Sequence, residues 1–567
     1  MRWTIKTIAE PEKVKELAQA LNVDGFIAQL LIQRGITTFE QAREFFRPSL
    51  DALHDPYLMK DMDKAVARIE KAIQAGENIL VFGDYDVDGT TAVSLVSSYL
   101  KTIYPNIATY IPDRYEEGYG VSYKGIDYAE DNGISLIIAL DCGIKSIGHV
   151  AYAKQKDIDF IICDHHRPGD ELPDAAAVLD PKRSDCEYPY DELCGCGVGF
   201  KLIQALGANR GQTIDDLIPY LDLVATAIAA DIVPMTGENR VLAHFGLKVI
   251  NSSPRNGIKA LIHQIKKKTL DITDVAFVIA PRINAAGRIK HGNHAVELLT
   301  EANFEQAQQF AAEIEAYNTH RKSLDKQITK EALAQIETNQ EMARFTTVVF
   351  QEDWHKGVIG IVASRLIDTY YRPTLVFTKS GDKYAASARS VLGFDVYNAL
   401  EACSEHLEQF GGHMYAAGMT LKQENYEHFK AAFEKVVEQT ILPDMQTREI
   451  LVDAEIELAD ISPKFIRILK QFEPFGPQNV MPLFWTKNLR DTGYGKVMGA
   501  DNEHLRLFVK QDASEGIAAI GFGLGGKINF TANQKPFEAI YSIGENEWNG
   551  NVSTQLLLRD LRNQRDI

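Results

Sequence analysis

The sequence predicts an α/β protein with two α/β units and a small β-barrel near its C-terminal end. Between residues 55 and 250, apolar runs typical of buried strands alternate with runs at helical spacing, which indicates a largely parallel sheet. A second alternation of strand and helix patterns follows residue 345. After residue 447 the chain shows short strand-like runs separated by turn residues, such as LRLFVK, GIAAIGFG and FEAIYSI, which are typical of a barrel.

The expected elements follow in order along the chain. Residues 1–54 show helical periodicity broken at Gly35 and Pro48, so we expect a small helical cap, without catalytic residues. Residues 300–343 show one helical pattern without Pro or Gly; a core helix and a connector between domains explain it equally well. The strands expected in the first α/β unit are residues 79–83, 107–111, 136–140, 160–163 and 176–179. The resulting domains are residues 1–54, 55–299, 300–344, 345–446 and 447–567.

Composition and charge restrict the class of protein. A chain of 567 residues is long enough for three or four domains, and 45% hydrophobic with 24% charged residues is typical of a globular protein. The net charge of −18, from 60 basic and 78 acidic residues, argues against a broadly basic DNA-coating protein. It leaves room for a local basic groove that holds one strand.

Cysteines and apolar runs give no sign of secretion or of a membrane span. The six cysteines are scattered, and Cys194 and Cys196 are better explained as small residues in a glycine turn than as metal ligands. No apolar run reaches membrane length, and the first residues lack the apolar core of a signal peptide. We therefore expect a cytoplasmic protein without membrane contact.

The stretch ILVFGDYDVDGT is the first candidate functional motif. Its apolar run predicts a buried strand, which ends in Asp84, Asp86 and Asp88. Three carboxylates at one strand end repel one another unless a cation lies among them, and Mg²⁺ or Mn²⁺ is the natural partner of clustered oxygens. The alternative is a solvated Asp-rich turn that caps the next helix.

Two further strands and one helix end in similar residues. SLIIALDCG ends at Asp141, and DFIICDHH ends at Asp164, His165 and His166. Asp231 follows the helix-like run LDLVATAIAA. Because ligands collect at the carboxyl ends of parallel strands, these residues predict one shared site. The solvated turn is then the weaker explanation.

The order of these motifs resembles that of a known superfamily. DYDVDG, DCG, DHH and AAD occur in the order found in DHH phosphoesterases. RINAAGR, SARS, GGHMYAAG and PFGPQN are similar to the RecJ branch of that superfamily. The resemblance implies a DHH domain and a DHH-associated domain joined by the long helix, and then an OB-like barrel.

The resemblance also implies two divalent metal ions, Mn²⁺ or Mg²⁺. Asp141 is expected to bridge them, and Asp84 to reach the site directly or through water. Many relatives carry a histidine four residues before Asp86, where this chain has Phe82, so one metal site has a different ligand set. The implied metal ligands are Asp84, Asp86, Asp88, Asp141, His165 and Asp231. The same residues, with Asp164 orienting a neighbouring imidazole and His166 contacting substrate phosphate, form the expected catalytic set.

A second group of residues is expected to bind the nucleic-acid strand. In RINAAGR, guanidinium groups match phosphate, although ion pairs on a helix surface explain the motif equally well. The glycines in GGHMYAAG let backbone amides approach an anion, with a tight turn as the alternative. Trp354 and His355 are candidates for stacking on bases, although a tryptophan is more often a core residue. The expected strand-binding residues are His166, Arg282, Asn284, Arg288, Trp354, His355, Arg389, Gly411, Gly412 and His413.

The barrel carries a mixture of aromatic and basic residues. Tyr494, Lys496, Arg506 and Phe508 are of the kind that line single-strand-binding barrels. Core and surface roles explain these four residues equally well.

The implied function is a single-stranded-DNA-specific exonuclease of 5′→3′ polarity that releases 5′-mononucleotides by two-metal hydrolysis, in DNA recombination and repair. We expect the two α/β units to face each other across a groove too narrow for a duplex. A helicase and a single-strand-binding protein are expected partners, and a monomer is expected. The alternatives are a DHH phosphodiesterase for short oligonucleotides or cyclic dinucleotides, and a non-catalytic replication scaffold. An inorganic pyrophosphatase is disfavoured by the elaborate second half.

Overall fold

The computed structural model describes residues 1–7, 10–265, 267–512, 514–548 and 551–563. The chain divides into two compact units. The first, called the barrel unit below, comprises residues 1–53, 234–244 and 449–567. The second comprises residues 54–233 and 245–448 and contains both α/β units. Across the described ranges, no helix combines the length and the apolar character needed to cross a membrane.

The N-terminal segment contains a strand that the sequence did not predict, in addition to the expected helices. The elements are β1 (Arg2–Ile5), α1 (Pro11–Leu21), α2 (Gly25–Ile32) and α3 (Phe39–Phe46). Helix α1 begins with a proline at its first turn, and α3 begins at a capping box of Thr38 and Gln41.

The first α/β unit contains a five-stranded parallel sheet. Its elements are α4 (Met62–Ala75), β2 (Asn78–Gly83), α5 (Val87–Ile103), β3 (Ile107–Tyr110), α6 (Tyr123–Asp131), β4 (Ile134–Leu140), α7 (Ile147–Lys154), β5 (Asp159–Cys163) and β6 (Ala177–Leu179). The strand order is β3-β2-β4-β5-β6, and each neighbouring pair is parallel. All five predicted strands and the parallel arrangement are therefore confirmed.

A set of helices completes this unit and leads to the second one. These helices are α8 (Gly195–Ala208), α9 (Ile214–Leu217), α10 (Leu221–Asp231), α11 (Gly237–Ser252), α12 (Asn256–His263), α13 (Ile272–Asp274), α14 (Ala280–Ile289), α15 (Asn293–Thr300) and α16 (Phe304–Thr338). Helix α16 has 35 residues, which corresponds to about 52 Å. Its N-terminal half contacts α12, α14 and α15, and its C-terminal half packs against α17 (Ile359–Thr369). The long helix is thus both the expected connector and a core helix.

The second α/β unit has a five-stranded mixed sheet. Its other elements are β7 (Thr347–Phe350), β8 (Thr374–Ser380), β9 (Lys383–Arg389), α18 (Val396–Glu401), β10 (Gln409–His413), β11 (Ala416–Lys422) and α19 (Tyr426–Thr440). The strand order is β10-β11-β9-β8-β7. Strands β7 and β8 are parallel, and the other described pairs are antiparallel.

The C-terminal segment forms the expected closed barrel. Its elements are β12 (Glu449–Val452), β13 (Ala454–Glu455), α20 (Pro463–Lys470), β14 (Phe484–Asp491), β15 (Lys496–Met498), β16 (His504–Lys510), β17 (Ile517–Gly521), β18 (Phe537–Trp548) and β19 (Asn551–Asn563). The ring runs β14-β18-β19-β17-β16 and closes through the pairing of β16 with β14. This order, with β17 and β19 parallel, is that of an OB-type barrel.

The N-terminal segment and the barrel share one hydrophobic core. Strand β1 pairs in parallel with β12, and Leu30 and Leu31 of α2 are buried in the same cluster as Phe484 and Leu556 of the barrel. Residues 1–53 are therefore part of the barrel unit in the structure, whereas the sequence suggested a separate cap.

Candidate metal centre

Three predicted acidic ligands converge on the side chain of His165, a fourth predicted ligand. Its Nε2 atom lies 3.2 Å from Oδ1 of Asp141, 3.6 Å from Oδ2 of Asp231 and 3.7 Å from Oδ2 of Asp88. Asp141 and His165 follow the carboxyl ends of β4 and β5, Asp88 lies in the first turn of α5 after β2, and Asp231 is the last residue of α10. The parallel sheet thus brings together residues that are up to 143 positions apart in the sequence.

Asp88 is held by the beginning of helix α8. Its two carboxylate oxygens accept hydrogen bonds from the backbone amides of Gly195 and Cys196, at 2.6 and 2.7 Å. Burial, followed by the charge of Asp86, nevertheless raises the pKa of Asp88 to about 7. A Cβ atom on Gly195 would lie 2.5 Å from Cβ of Asp141, so glycine is required for this close approach.

Asp141 has an unusual backbone conformation at the end of β4. Its φ angle is +58°, a left-handed conformation that Asp adopts more readily than most residues, and its amide donates to the carbonyl of Cys163 at 2.9 Å. Burial, followed by the charges of Asp88 and Asp86, raises its pKa well above the ordinary value. Its buried Oδ1 atom has no hydrogen-bond partner among the described residues.

Asp84 and Asp86 complete the acidic set in different ways. Asp84 is fully buried and accepts a hydrogen bond from the amide of Gly120 at 3.3 Å. Burial, followed by the charge of Asp86, raises the pKa of Asp84 well above its usual range. Asp86 caps helix α5 by accepting from the amide of Gly89 at 3.1 Å, so the capping alternative also describes this residue. Phe82 stacks on Tyr110 in the apolar interior at 5.4 Å and offers no ligand atom.

The second histidine is fixed by Asp164. Oδ1 of this buried carboxylate lies 2.7 Å from Nδ1 of His166, and Oδ2 accepts from the amide of Ile144 at 3.0 Å. Although burial opposes both shifts, the mutual hydrogen bond lowers the pKa of Asp164 to about 2 and raises the pKa of His166 to about 9. The hydrogen bond to Asp164 thus favours the protonated form of His166, and its Nε2 atom faces the hydroxyl of Tyr119 at 3.2 Å.

The donor atoms of this site fit a divalent cation. Besides Oδ1 of Asp141, the buried atoms Oδ2 of Asp84 and Nε2 of His165 have no hydrogen-bond partner in the described part of the chain. Buried carboxylates that raise one another's pKa need a positive charge among them, and carboxylate oxygens with an imidazole nitrogen suit Mn²⁺ or Mg²⁺. Two overlapping groups have suitable geometry: Asp88, His165 and Asp231, and Asp141, His165 and His166.

A cleft of about 490 Å³ opens beside the metal centre. Tyr85 and Tyr119, which flank the centre, form one wall, and residues of the second α/β unit, including Gly411, form another. Its lining includes four cations, Arg114, Arg288, Lys356 and Arg389, and the described lining contains no Asp or Glu. The cleft is therefore suited to an anionic chain that ends at the metals.

The arginines of the cleft repel one another. Burial, followed by the charge of Arg114, lowers the pKa of Arg288 to about 10, and the same two causes lower the pKa of Arg389. Arg288 donates to the carbonyl of Gly357 at 2.9 Å, and Arg114 lies over the ring of Tyr85 at 4.7 Å. Clustered guanidinium groups with no carboxylate among the described lining residues are typical of a phosphate site. Sequence reasoning missed Arg114, Lys356 and Tyr119, because no motif distinguishes them.

Three of the predicted strand-binding residues lie elsewhere. Arg282 forms an ion pair with Glu315 of α16 at 2.6 Å, which corresponds to the ion-pair alternative. Trp354 is only 5% exposed and donates to Glu331 of α16 at 2.8 Å, so it is a core residue and not a surface for stacking. Asn284 is half-buried on α14 and does not line the cleft.

The remaining predicted residues lie near the cleft or in the hairpin beside it. The ring of His355 meets Tyr115 edge-on at 6.2 Å. Gly412 has a φ angle of +147°, and a Cβ atom there would lie 2.3 Å from the carbonyl oxygen of Ala416, so this glycine serves the tight β10–β11 hairpin. His413 ends β10 and accepts from the amide of Tyr415 at 3.3 Å. Neither Gly412 nor His413 is part of the described cleft lining.

Comparison with known proteins gives consistent results along the chain. Family models for the DHH family N-terminal domain, the DHHA1 domain and the RecJ OB domain match residues 78–228, 343–439 and 452–560. The single-stranded-DNA-specific exonuclease RecJ of Bacillus subtilis (strain 168) is 36% identical over 99% of this chain and 70% of its own length. The protein of the same name from Salmonella typhimurium is 32% identical over 94% of this chain and 95% of its own length.

A solved structure supports the same relationship. The crystal structure of RecJ from Thermus thermophilus in complex with Mn²⁺ has a TM-score of 0.84 and 26% identity, covering 100% of this chain and 80% of that one. The same protein in complex with Mg²⁺ has a TM-score of 0.78 and 25% identity, covering 100% and 79%.

Proposed function

This chain belongs to the RecJ family of single-stranded-DNA-specific exonucleases, and from this membership we propose that it degrades single-stranded DNA from the 5′ end to 5′-mononucleotides. The observation that carries the proposal is the cation-lined cleft that opens directly beside the cluster of Asp88, Asp141, His165 and Asp231. A DNA strand has a phosphate at each nucleotide, and the cleft offers guanidinium groups to those phosphates, while Tyr119 of its wall contacts His166 beside the acidic cluster.

The acidic cluster and His165 would hold two divalent ions, Mn²⁺ or Mg²⁺. Bound at this position, such ions supply an activated water and neutralise charge on the phosphoryl oxygens. Asp88 is kept in place for this task by the amides of Gly195 and Cys196. Asp141, which has four acidic neighbours and an unpartnered oxygen among the described residues, is the best candidate for a ligand shared by both ions.

The protein's own cations bind and orient the strand. His166, protonated and held by Asp164, would donate its Nε2 proton to an oxygen of the scissile phosphate. Arg114, Arg288 and Arg389 would hold the neighbouring phosphates, since guanidinium groups bind phosphate oxygens in pairs.

The polarity, the biological setting and the partners follow from the resemblance and remain proposals. We place the enzyme in recombination and repair, after a helicase has opened the duplex and together with a single-strand-binding protein. A monomeric, cytoplasmic enzyme is also proposed. The tyrosine, phenylalanine and basic residues of the barrel would provide a second surface for binding single-stranded DNA.

Substitutions on the barrel distinguish this function from that of a short-oligonucleotide phosphodiesterase. Tyr494 and Phe508 are exposed, by 79% and 41%, on the barrel. Deleting residues 447–567 would uncover the core that the barrel shares with residues 1–53, so substitution is the better test. The double variant Tyr494→Ala/Phe508→Ala should weaken binding of a 30-nucleotide strand several-fold and leave a dinucleotide substrate unaffected.

The central test uses end-labelled substrates with and without Mn²⁺. Single-stranded DNA, duplex DNA and RNA of one sequence are compared, with the label at the 5′ or the 3′ end. The proposal expects labelled mononucleotide at once from 5′-labelled single strands, gradual shortening of 3′-labelled strands, and no reaction with chelator. Asp141→Ala should abolish cleavage and retain strand binding. Cleavage by this variant at the wild-type rate would exclude the metal assignment.

A further inference from the structure

The hydroxyl of Tyr119 contacts the one ring nitrogen of His166 that is left to bind a phosphate. Nδ1 of His166 is already bound to Asp164 at 2.7 Å. Its Nε2 atom lies 3.2 Å from the hydroxyl of Tyr119, which is also 3.4 Å from the carbonyl oxygen of Asp141. A phosphate can therefore take its place beside His166 only when the tyrosine hydroxyl leaves.

The loop that carries Tyr119 is anchored through its backbone, so the tyrosine hydroxyl moves by rotation of the side chain. Residues 112–121 form this loop, between β3 and α6. Asp113 accepts hydrogen bonds from the amides of Tyr115 and Glu116 at 2.8 and 2.9 Å, and Tyr115 donates to the carbonyl of Arg288 at 2.5 Å. These contacts fix the first half of the loop to the wall of the cleft.

In the second half of the loop, the side chain of Tyr119 is exposed. Tyr119 lies between Gly118 and Gly120, whose φ angles are +87° and +81°. The amide of Gly118 donates to the carbonyl of Asp113 at 3.2 Å and the amide of Gly120 donates to Oδ1 of Asp84 at 3.3 Å, so the backbone on both sides of Tyr119 is held. Tyr119 itself is 55% exposed, and its ring touches Tyr85 and His166 only edge-on, at 6.2 and 6.0 Å. Its position depends on the hydroxyl contacts and not on tight packing.

We propose that Tyr119 is a specificity-determining residue, a latch that covers His166 until a strand fills the cleft. Tyr119 lines the cleft together with Arg114 of the same loop, so a strand bound by the arginines meets the tyrosine ring on its way to the metals. The strand gains contacts in the cleft that compensate for breaking the hydroxyl contact. A small phosphodiester that reaches the metals without filling the cleft has no such compensation and is hydrolysed poorly. This inference rests on the proposed function, because it assumes that His166 receives the scissile phosphate.

The test compares a small and a long substrate in the full-length, Mn²⁺-loaded enzyme. Bis(4-nitrophenyl) phosphate serves as the small diester, and a 30-nucleotide single strand serves as the long one. Tyr119→Phe removes the hydroxyl and keeps the ring. We expect kcat/KM for the small diester to rise about five- to tenfold, the effect of one hydrogen bond of ordinary strength, and kcat/KM for the long strand not to rise.

Tyr128→Phe is the matched control. Tyr128 is a half-exposed tyrosine on α6 that belongs to neither the metal centre nor the cleft lining, and its substitution should change neither rate. An unchanged kcat/KM for the small diester in Tyr119→Phe would overturn the latch. An equal loss of kcat/KM for both substrates would also overturn it, because the hydroxyl would then be part of the catalytic machinery. If the wild-type enzyme does not digest the long strand, the proposed function is refuted. This result needs no variant, so it is distinguishable from a failure of the latch.

Discussion

Gly195→Ala should impair metal binding although it removes no ligand. The first amide of α8, that of Gly195, donates to Asp88, and the glycine's α-carbon faces Asp141. An added Cβ atom would lie 2.5 Å from Cβ, 2.7 Å from Oδ1 and 2.8 Å from Cα of Asp141. Ordinary contacts of this kind begin near 3.4 Å, so the helix end or Asp141 must move by nearly 1 Å.

The size of the effect follows from this displacement. Overpacking of a buried site costs about 1–3 kcal/mol, and a ligand held out of position by its supporting shell typically costs about 10- to 100-fold in metal affinity. We therefore expect the Mn²⁺ affinity to fall by about this factor. The rate at saturating Mn²⁺ should recover in part, because every ligand is still present.

Gly197→Ala in the same helix is the matched control. A Cβ atom there would lie 3.4 Å from Leu193 and 3.6 Å from the sulfur of Cys194, which are ordinary contacts. Alanine also favours a helix over glycine by about 1 kcal/mol, so this variant should be as stable as the wild type or more so. Calorimetric titration with Mn²⁺, and exonuclease rates measured against Mn²⁺ concentration, compare the two variants. Wild-type Mn²⁺ affinity in Gly195→Ala would refute the argument that this close approach positions Asp141.

Three further changes test other parts of the site. The hydrogen bond to Asp164 raises the pKa of His166 to about 9, so the imidazole should stay protonated up to about that pH. Asp164→Asn should return the pKa of His166 toward about 6.5 and lower kcat/KM at pH 8 by about tenfold or more, which a pH profile of kcat/KM measures. Arg389→Gln should raise KM for single-stranded DNA about tenfold at unchanged kcat and flatten the salt dependence of binding. Trp354→Phe should lower the free energy of unfolding by about 1–2 kcal/mol, because the hydrogen bond to Glu331 is lost, and should leave KM for DNA unchanged. A raised KM with unchanged thermal stability would contradict the assignment of Trp354 to the core.

The convergence of the acidic residues was predictable because it follows from one topological rule. In a parallel sheet the carboxyl ends of neighbouring strands share an edge, so the residues after β2, β4 and β5 must meet wherever the loops between them lead. Asp88, Asp141 and His165 are brought together in this way. The barrel was predictable for a similar reason, since short strands with turns have few ways to bury their apolar faces.

The strand-binding residues were harder to predict because a motif does not say which way a side chain points. Arg282 and Arg288 are six residues apart on α14 and therefore about 120° apart around the helix axis, so they cannot both face the cleft. One forms an ion pair with α16, and the other lines the cleft. Arg114 and Lys356 lie in loops, where no periodicity indicates what a side chain faces.

The pairing of β1 with β12 could not be read from local patterns at all. Arg2 pairs with Glu449, and the two are 447 positions apart in the sequence. Four residues at the start of a chain give no periodic signal of their own. The helices that follow did show an apolar face, but nothing in their sequence indicates that the barrel covers it.

The net charge of −18 bears on how this enzyme finds its substrate. A polyanionic strand is repelled by the acidic body as a whole, so attraction is confined to surfaces where cations gather without carboxylates. Among the described residues the cleft is such a surface, and it lies next to the cluster that would hold the metals. Unlike a broadly basic protein, which would bind DNA along its whole length, this one should bind a strand weakly until phosphates enter the cleft. The charge distribution therefore directs a strand to the cleft beside the metal ligands.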